Sequence, residues 1–408
     1  MPCGLEPSRP CKTIHQVTAR AHDGDVINID GTDTSRDPYR CEFDSVAEKD
    51  LNIAGVVMRS YKTPAFIACK SNSFRFSCDP RTSNGVSLKG ITFVNTSLYL
   101  VECSLKMADC SFVNESVEAV SFRFARNNST GNVDLNGCTF RNNSATILNI
   151  SGNSVNLSIL NSSFSNNKLH DVNDTILTMS AQSLQAEQVR LTANFTNING
   201  SLNSCPGQAC FQIVAGMNGT LMLEMDQVNF ENNEAGGSVL DVSGSSSVEL
   251  KSTQFRTNTG RAVKLRDGDS LELKIAKGNF AENEIEQKGN GSNGGAVYVS
   301  GFTQKALVSL WRSNFKSNKA ENGGACAFDD ISLLMLDIEN CQFVQNEAWI
   351  SGGALALGSD NGWHNNSTID IRSSTFSGNI VRSGNFRSAD VGGAVRWLCM
   401  CLTCRAYH

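Results

Sequence analysis

The chain has 408 residues, a formal net charge of −5 and a sequence pI near 5.6. This acidic balance disfavours nucleic acid as the main partner, because proteins that bind it present a basic face. No apolar stretch reaches the roughly 18 residues that a membrane-spanning helix requires, so no membrane span is predicted. Length alone would suggest two or three domains, but the internal repeats described below favour one elongated unit.

Cysteine and sequon content indicate an oxidising compartment outside the cytoplasm. The chain has 15 cysteines, together with 15 Asn-x-Ser/Thr sequons. Eight cysteines crowd the first third of the chain: Cys3, Cys11, Cys41, Cys69, Cys78, Cys103, Cys110 and Cys138. Such crowding is typical of a disulfide-tied extracellular region. We therefore expect an extracellular or cell-surface protein.

A motif in which a Phe is followed by an Asn three positions later recurs along most of the chain. It reads FAEN at 280–283 and FKSN at 315–318, and later copies are followed by Gly-Gly-Ala and a short apolar strand. We count eleven copies, eight of which have the Asn, and their phenylalanines are Phe93, Phe112, Phe140, Phe164, Phe195, Phe230, Phe255, Phe280, Phe315, Phe343 and Phe376. Such self-similarity is the signature of a repeat architecture.

The segments before each motif have the pattern of short β-strands. The residue five positions before the Phe is aliphatic in ten copies, and the exception, Arg190, is interpreted as a one-residue slip. Apolar and polar residues alternate, as in residues 248–255, which is typical of half-buried strands. One repeat buries too little apolar surface to fold alone, so we expect the repeats to stack with their strands paired in parallel.

Each motif residue has a predicted role inside the stacked coils. Phe is expected to stack on the Phe of the next coil, and Asn to take a tight left-handed bend and to hydrogen-bond along the stack as a ladder. The two glycines are expected to form a second corner, with the Ala facing the interior. The predicted structural ladder comprises Phe280, Asn283, Phe315, Asn318, Phe343, Asn346, Phe376 and Asn379.

The paired FxxN and GGA[ILV] motifs resemble the repeats of the chlamydial polymorphic outer membrane proteins, and more widely the right-handed parallel β-helices of the pectin-lyase-like superfamily. The resemblance implies an all-β, right-handed parallel β-helix of about eleven coils over residues 26–398. Residues 1–25 resemble the family's N-terminal cap, a short amphipathic helix that places Ile14, Val17 and Ala21 over the first coil.

In the chlamydial proteins that the motifs resemble, the repeats are associated with adhesion to host cells. The resemblance therefore implies an adhesion motif at Gly294, Gly295, Ala296, Gly323, Gly324, Ala325, Gly352, Gly353, Ala354, Gly392, Gly393 and Ala394. By their own chemistry, the same residues are corner-forming elements first. Both interpretations remain open at this point.

Of three cysteine pairs that are candidates for disulfides, two lie within residues 110–210. Cys205 and Cys210 would close a local loop. Cys110 and Cys138 each precede a motif Phe by two positions, so in adjacent coils they would stand about 4.8 Å apart, within the range of a disulfide. The alternative for the second pair is a stack of unbonded small side chains, since Ser, Thr or Gly takes this position in other copies.

The end of the chain is rich in cysteine. Residues 399–408 hold three clustered cysteines and His408, whereas a tetrahedral zinc site normally draws four ligands from separated pairs. No metal and no cofactor are therefore predicted, and disulfides to downstream sequence or a mispredicted last exon are favoured. The first ten residues contain no apolar signal core, so our hypothesis is that the chain is a fragment or an incomplete gene model of a longer ectodomain. Cys326 and Cys341, which share one repeat, are a third candidate pair.

An enzyme of this fold needs carboxylates clustered on a strand face, either to hold calcium beside a basic residue or as an acid pair. The outward row after Gly-Gly-Ala has no such cluster, since it consists of Lys264, Tyr298, Ala327, Ala356 and Arg396. The aspartates of the following turns are spread over several coils: Asp267, Asp269, Asp329, Asp330 and Asp360. The five histidines are scattered along the chain.

Three functions are therefore considered. The leading expectation is a non-enzymatic extracellular or cell-surface protein, an adhesion or structural module whose partners are cell-surface or matrix glycans or proteins. The first alternative is a polysaccharide lyase or hydrolase of the pectin-lyase-like type, with the Asp-bearing turns as calcium sites. The second alternative is an ectodomain fragment of a membrane receptor.

Overall fold

The computed structural model describes residues 25–32, 34–35, 38–40, 57–61, 63–68, 73–78, 85–124, 130–181, 189–215, 219–285, 292–358, 367–382, 394–397 and 404–406. The expected cap helix with Ile14, Val17 and Ala21 lies outside these residues, as does most of the cysteine-rich tail. Within them, every element is a β-strand and the paired strands run parallel. The prediction of an all-β parallel β-helix is confirmed.

Each complete coil contributes three strand positions, which we name by their place relative to the motif. The pre-motif strands are Val26–Asp30, Val57–Tyr61, Val86–Lys89, Leu105–Ala108, Gly131–Asn136, Ser154–Leu160, Arg190–Thr196, Thr220–Asp226, Ser245–Lys251, Leu334–Glu339, Thr368–Arg372 and Cys404–Ala406. The motif strands are Tyr39–Arg40, Ala65–Ala68, Ile91–Val94, Ser111–Val113, Thr139–Arg141, Ser163–Ser165, Asn199–Ser201, Asn229–Glu231, Gln254–Arg256, Asn279–Ala281, Asn314–Lys316, Gln342–Val344 and Thr375–Ser377.

The remaining strands follow the motif. The post-motif strands are Ser73–Ser77, Ser97–Val101, Val120–Phe124, Leu148–Gly152, Leu177–Ser180, Ala209–Val214, Glu234–Ser243, Cys326–Ile331, Leu355–Leu357 and Val395–Trp397. Short strands at the corner before them are Ser204–Cys205, Lys319–Asn322, Glu347–Ser351 and Ile380–Val381. Two long strands, Thr259–Ala276 and Val297–Trp311, serve as both post-motif and pre-motif strands and join these positions into one 25-stranded sheet.

The motif strands form a separate sheet of 13 strands, so the described chain makes thirteen coils rather than about eleven. The two extra coils contain Tyr39–Arg40 and Ala65–Ala68. These strands have no Phe at the motif position, so the repeat pattern did not predict them. With a strand spacing of about 4.8 Å, thirteen coils extend over about 60 Å.

The register of one motif copy differs from the prediction. Phe195 pairs with Ile159 and Met225 on the pre-motif strands, so it is not a motif residue. The motif position of this coil is Gly200, which pairs with Phe164 on one side and Phe230 on the other. The supposed exception at Arg190 therefore disappears, because the residue five positions before Gly200 is the buried, apolar Phe195.

The motif phenylalanines form an interior stack. From Phe255 to Phe376, successive ring centroids lie 4.7–5.3 Å apart with the rings within 8° of parallel. At Gly200 the stack has no ring of its own, and Phe211 from the following post-motif strand fills the space. Its centroid lies 5.5 Å from that of Phe164 and 4.7 Å from that of Phe230.

From the Phe93 coil to the Phe376 coil, the bends on either side of the motif strand use left-handed backbone. One set of left-handed residues stands two positions after the motif position: Asn95, Asn114, Asn142, Asn166, Leu202, Asn232, Thr257, Glu282, Ser317, Gln345 and Gly378. The other set stands three positions before it: Gly90, Asp109, Gly137, Asn161, Asn197, Gln227, Ser252, Lys277, Arg312, Asn340 and Ser373. The prediction that the motif Asn itself takes this conformation is wrong, because the bend falls one residue earlier and the Asn side chain turns inward.

Candidate functional site

The motif asparagines form a hydrogen-bonded ladder within the wall of the β-helix. Asn318 is typical: its backbone N–H donates to Oδ1 of Asn346 at 3.0 Å, and its Nδ2 donates to the carbonyl of Phe280 at 2.9 Å. Its own Oδ1 accepts from Nδ2 of Asn283 at 2.9 Å. The pattern includes Asn203, which the sequence analysis missed because its coil has Gly200 at the motif position.

The first described steps of the ladder use other side chains. The backbone N–H of Thr96 donates to Oε2 of Glu115, whose own N–H donates to Oδ1 of Asn143 at 2.9 Å. Glu115 is 1% exposed, and burial raises the pKa of its carboxyl group to about 8. An acceptor oxygen at this position is therefore enough to continue the ladder, whether it belongs to an amide or to a carboxyl group.

The Gly-Gly-Ala segments are buried in the wall. Ala296, Ala325 and Ala354 are fully buried, and the first glycine of each segment has a positive φ, as at Gly323 with 61°. The second glycine lies too close to the next coil for a side chain, since a Cβ at Gly324 would stand 2.3 Å from a backbone oxygen. Gly392 and Gly393 lie outside the described residues. The described segments thus form corners and present little surface to a partner.

The disulfide pattern differs in part from the prediction. Cys205 and Cys210 form a disulfide with a Cα–Cα distance of 5.4 Å. The proposed bond between Cys110 and Cys138 is absent, and both are buried free thiols that donate to nearby carbonyls, Cys110 to Ala108 at 3.4 Å. This is the unbonded stack of small side chains that the sequence left open.

The third candidate pair is not bonded, and a disulfide forms elsewhere. Cys326 and Cys341 are also buried free thiols. A disulfide that the sequence did not assign joins Cys78 to Cys103.

The aspartates of the turns are engaged in local contacts. Asp267 bonds to Arg266 at 2.6 Å, and Asp269 accepts from the hydroxyl of Thr303 at 2.8 Å. Asp360 lies outside the described residues. Across the described part of the chain, no group of three or more His, Cys, Asp or Glu side chains is arranged to hold a metal ion.

The outer face of the pre-motif strands carries a groove of about 640 Å³. Its floor is one outward row of register partners from six successive coils: Asn156, Thr192, Met222, Ser247, Glu272 and Leu307. Near its middle the small side chain of Ser247 lies between the larger side chains of Met222 and Glu272, which leaves a depression. The sequence signal for it was the run of three serines at 245–247.

A second row along the groove has a cation at each end. It runs through Arg190, Thr220, Ser245, Ser270 and Lys305. The two cations lie four strand spacings apart, about 19 Å. Both are exposed, and neither forms an ion pair with any described residue. An extended ligand that lies along the helix axis would meet hydroxyl groups in the centre and a positive charge at each end.

Carboxylates also line the outer face of the pre-motif strands. The outward row predicted from the sequence lies elsewhere, on the strands that follow Gly-Gly-Ala. Asp337 and Asp370 are register partners on adjacent coils, and Arg372 lies 2.9 Å from the first and 3.4 Å from the second. Glu224 and Glu249 are likewise register partners. Their alternation with buried residues was visible in the sequence, but their alignment across coils was not.

The sequon asparagines face outward. Among the described sequons, seven asparagines are exposed and two are half-buried: Asn114, Asn142, Asn156, Asn161, Asn173, Asn194 and Asn199, then Asn95 and Asn149. The ladder asparagines, by contrast, belong to no sequon. The positions that could carry glycans are therefore separate from the amides that hold the fold together.

Comparison with known proteins gives no relative for this chain. No protein family model matches the sequence, and neither the curated proteins nor the solved structures provide a match. In the part of the chain that the structure describes, no helix is long and apolar enough to cross a membrane. The resemblance to the chlamydial repeats therefore depends on the motifs themselves.

Proposed function

We propose that this chain is a non-enzymatic extracellular or cell-surface β-helix, a rigid adhesion or structural module that holds an extended glycan or protein segment in its groove. The observation that carries the proposal is the groove, which spans six coils along the helix axis and presents hydroxyl groups between larger apolar and charged side chains. Such a surface suits a linear ligand with repeating polar groups.

The interior supports the proposed mechanical role. The stacked rings from Phe255 to Phe376 and the ladder amides are almost all buried, so each coil is tied to the next by both packing and hydrogen bonds. Buried, fully bonded polar networks rigidify a structure. A ligand that crosses several coils would therefore meet a surface whose spacing does not change.

The proposed location outside the cytoplasm has two supports. The Cys78–Cys103 and Cys205–Cys210 disulfides are of the kind that persists in oxidising compartments. The described sequon asparagines are also accessible, with none buried. Mass spectrometry of the protein secreted from a eukaryotic host tests this point, and unmodified asparagines together with reduced cysteines would contradict it.

The groove proposal is tested by filling the groove. Ser247→Trp places a large side chain in the middle of the floor, whereas Ser309→Trp places the same side chain on the same sheet outside the groove. Binding of the secreted protein to a glycan array and to cultured cells is measured for both variants. We expect Ser247→Trp to lose binding and Ser309→Trp to retain it. Equal binding by both variants would refute the groove as the binding site.

A polysaccharide hydrolase is the second candidate, and the paired carboxylates of Asp337 and Asp370 favour it. Release of new reducing ends from a panel of polysaccharides, with and without calcium, separates the two functions. We expect no release. Release that is abolished by Asp337→Asn or Asp370→Asn would replace the binding proposal with a hydrolase.

A further inference from the structure

Three cations cluster on the outer face of the post-motif strands, on a different sheet position from the groove. Arg261, Lys264 and Arg266 all belong to the long strand Thr259–Ala276. Lys264 is the register partner of Asp241 on the preceding coil and of Tyr298 on the following coil. The cluster therefore draws on three successive coils.

Neighbouring groups hold the two arginines in place. Nε of Arg266 lies 3.1 and 3.3 Å from the two carboxylate oxygens of Asp241, whose side chain is 1% exposed. Nε of Arg261 donates to the carbonyl of Asn293 at 2.7 Å, and its guanidinium group lies 4.9 Å from the centre of the Tyr298 ring. Both guanidinium groups are thus fixed before any ligand arrives.

Lys264 differs from the two arginines. Its side chain is half-buried, and its ammonium group forms no hydrogen bond and no ion pair with any residue that the structure describes. Burial is the main cause that lowers its pKa; Arg266 and Arg261 lower it further, and Asp241 and Asp267 oppose them. Among the described residues that act on Lys264, two carboxylates stand against this cation and the two arginines, which leaves one excess positive charge among these groups in a chain whose net charge is −5.

We propose that Arg261, Lys264 and Arg266 form a binding site for an oxyanion, namely a sulfate or carboxylate group that belongs to an acidic sugar. The Lys264 ammonium group is its direct ligand. A half-buried cation without a partner gains more from an anion than an exposed one does, because water screens it less. The fixed guanidinium groups add positive potential at no ordering cost, and Tyr298 provides an aromatic surface beside the anion.

The oxyanion chemistry follows from the cluster alone, whereas the choice of a sugar as its carrier rests on the proposed adhesion function. Free inorganic anions share the same chemistry. The experiment therefore compares a sulfated hexasaccharide, an oligogalacturonate of the same length, a neutral hexasaccharide and inorganic sulfate. Affinity for the folded chain is measured by calorimetry at two salt concentrations.

The test variant is Lys264→Gln, which removes the charge and keeps the length. Lys274→Gln is the matched control, since Lys274 lies on the same strand but forms an exposed ion pair with Glu272 at 2.6 Å. We expect at least one acidic oligosaccharide to bind, with a salt-sensitive affinity that falls about tenfold or more in Lys264→Gln and stays unchanged in Lys274→Gln. Equal melting temperatures for the two variants verify that the fold is retained.

Three results would overturn the inference. They are the absence of binding by both acidic oligosaccharides, equal loss of affinity in the two variants, and binding of inorganic sulfate as tight as that of the oligosaccharides, which would make the site one for free anions. If Lys264→Gln abolishes acidic-sugar binding but leaves glycan-array and cell binding intact, the oxyanion site stands independently of the groove. If array binding fails in the unaltered protein while the acidic sugars still bind, only the groove proposal is lost.

Discussion

The interior of the β-helix is built differently in its C-terminal part and in the part nearer the N-terminus. From Phe255 to Phe376 every coil has both motif residues, the rings lie within 8° of parallel and the amides form an unbroken ladder. Nearer the N-terminus, Glu115 takes an amide position and Gly200 takes a ring position. Around Gly200 the neighbouring rings are perpendicular or tilted, at 89°, 42° and 51°.

The difference shows which properties of the motif the fold requires. The ladder requires an inward acceptor oxygen, which a carboxyl group supplies as well as an amide. The stack requires aromatic volume, which Phe211 supplies from a neighbouring strand. We call the part from Phe255 to Phe376 the regular region and the part before it, which contains Glu115 and Gly200, the irregular region. The described sequons lie only in the irregular region, between Asn95 and Asn199. The regular region carries instead the cation cluster around Lys264.

Phe315→Ala should produce the largest loss, because it removes a fully buried ring from the regular stack. We expect the free energy of unfolding to fall by about 3–5 kcal/mol, the usual cost of truncating a buried aromatic side chain. Chemical denaturation measures it, with Lys316→Ala, an exposed substitution on the same strand, as the control. Similar unfolding midpoints for the two variants would show that the ring is not part of a packed interior.

Glu115→Gln should change how stability depends on pH. Burial raises the pKa of the Glu115 carboxyl group from 4.5 to about 8, so the fold favours the protonated form. Its stabilising contribution is full below about pH 4.5 and is lost as the pH rises through about 8. The neutral glutamine keeps an acceptor oxygen, so the variant should be more stable than the parent at pH 8–9, by a few kcal/mol. Melting temperatures from pH 4 to pH 9 test this, and parallel profiles would contradict it.

Asn318→Ala tests the ladder in the regular region. It removes the acceptor of the buried backbone N–H of Asn283 and one of the two acceptors of the Asn283 side-chain amide, together with the hydrogen bond that Asn318 donates to the carbonyl of Phe280. Unsatisfied buried polar groups cost about 1–3 kcal/mol each, so we expect a loss in the free energy of unfolding of at least that size. Asn314→Ala, which removes an outward amide on the motif strand that precedes Asn318, is the control and should cost less. The ladder would lose its proposed role if the two losses were equal.

Gly200→Phe and Phe211→Ala test the compensation in the irregular region. A Cβ at Gly200 would stand 2.4 Å from Cδ1 of Phe230, so Gly200→Phe alone should destabilise by overpacking, about 1–3 kcal/mol. Phe211→Ala empties the space beside the Phe230 ring. In the double variant Phe230 can shift into that space. We therefore expect the double variant to lose less free energy of unfolding than the sum of the two single variants, by about 1 kcal/mol or more. Additive losses would mean that the two positions do not share one packing site.

Much of the architecture was accessible from the sequence because the interior repeats. A buried position must be apolar in every coil, so the Phe stack, the alternating strands and most ladder amides were visible as a period. Glycine at 200 hid the motif position of one coil, although Asn203 three residues later and Phe195 five residues earlier marked it. The bend before each motif Asn was misplaced by one residue, because local chemistry permits a left-handed residue at either position.

By itself, the sequence determined that this chain is a stack of parallel β coils with an aromatic and amide interior, since burial constrains those positions in every repeat. Only the tertiary structure decided what the outer faces bring together. Coil length varies, so residues such as Asp241, Lys264 and Tyr298, which are 23 and 34 positions apart in succession, become neighbours only through the register of the strands. Outward rows carry no burial constraint, and their groove, carboxylate pairs and cation cluster therefore left no period in the sequence.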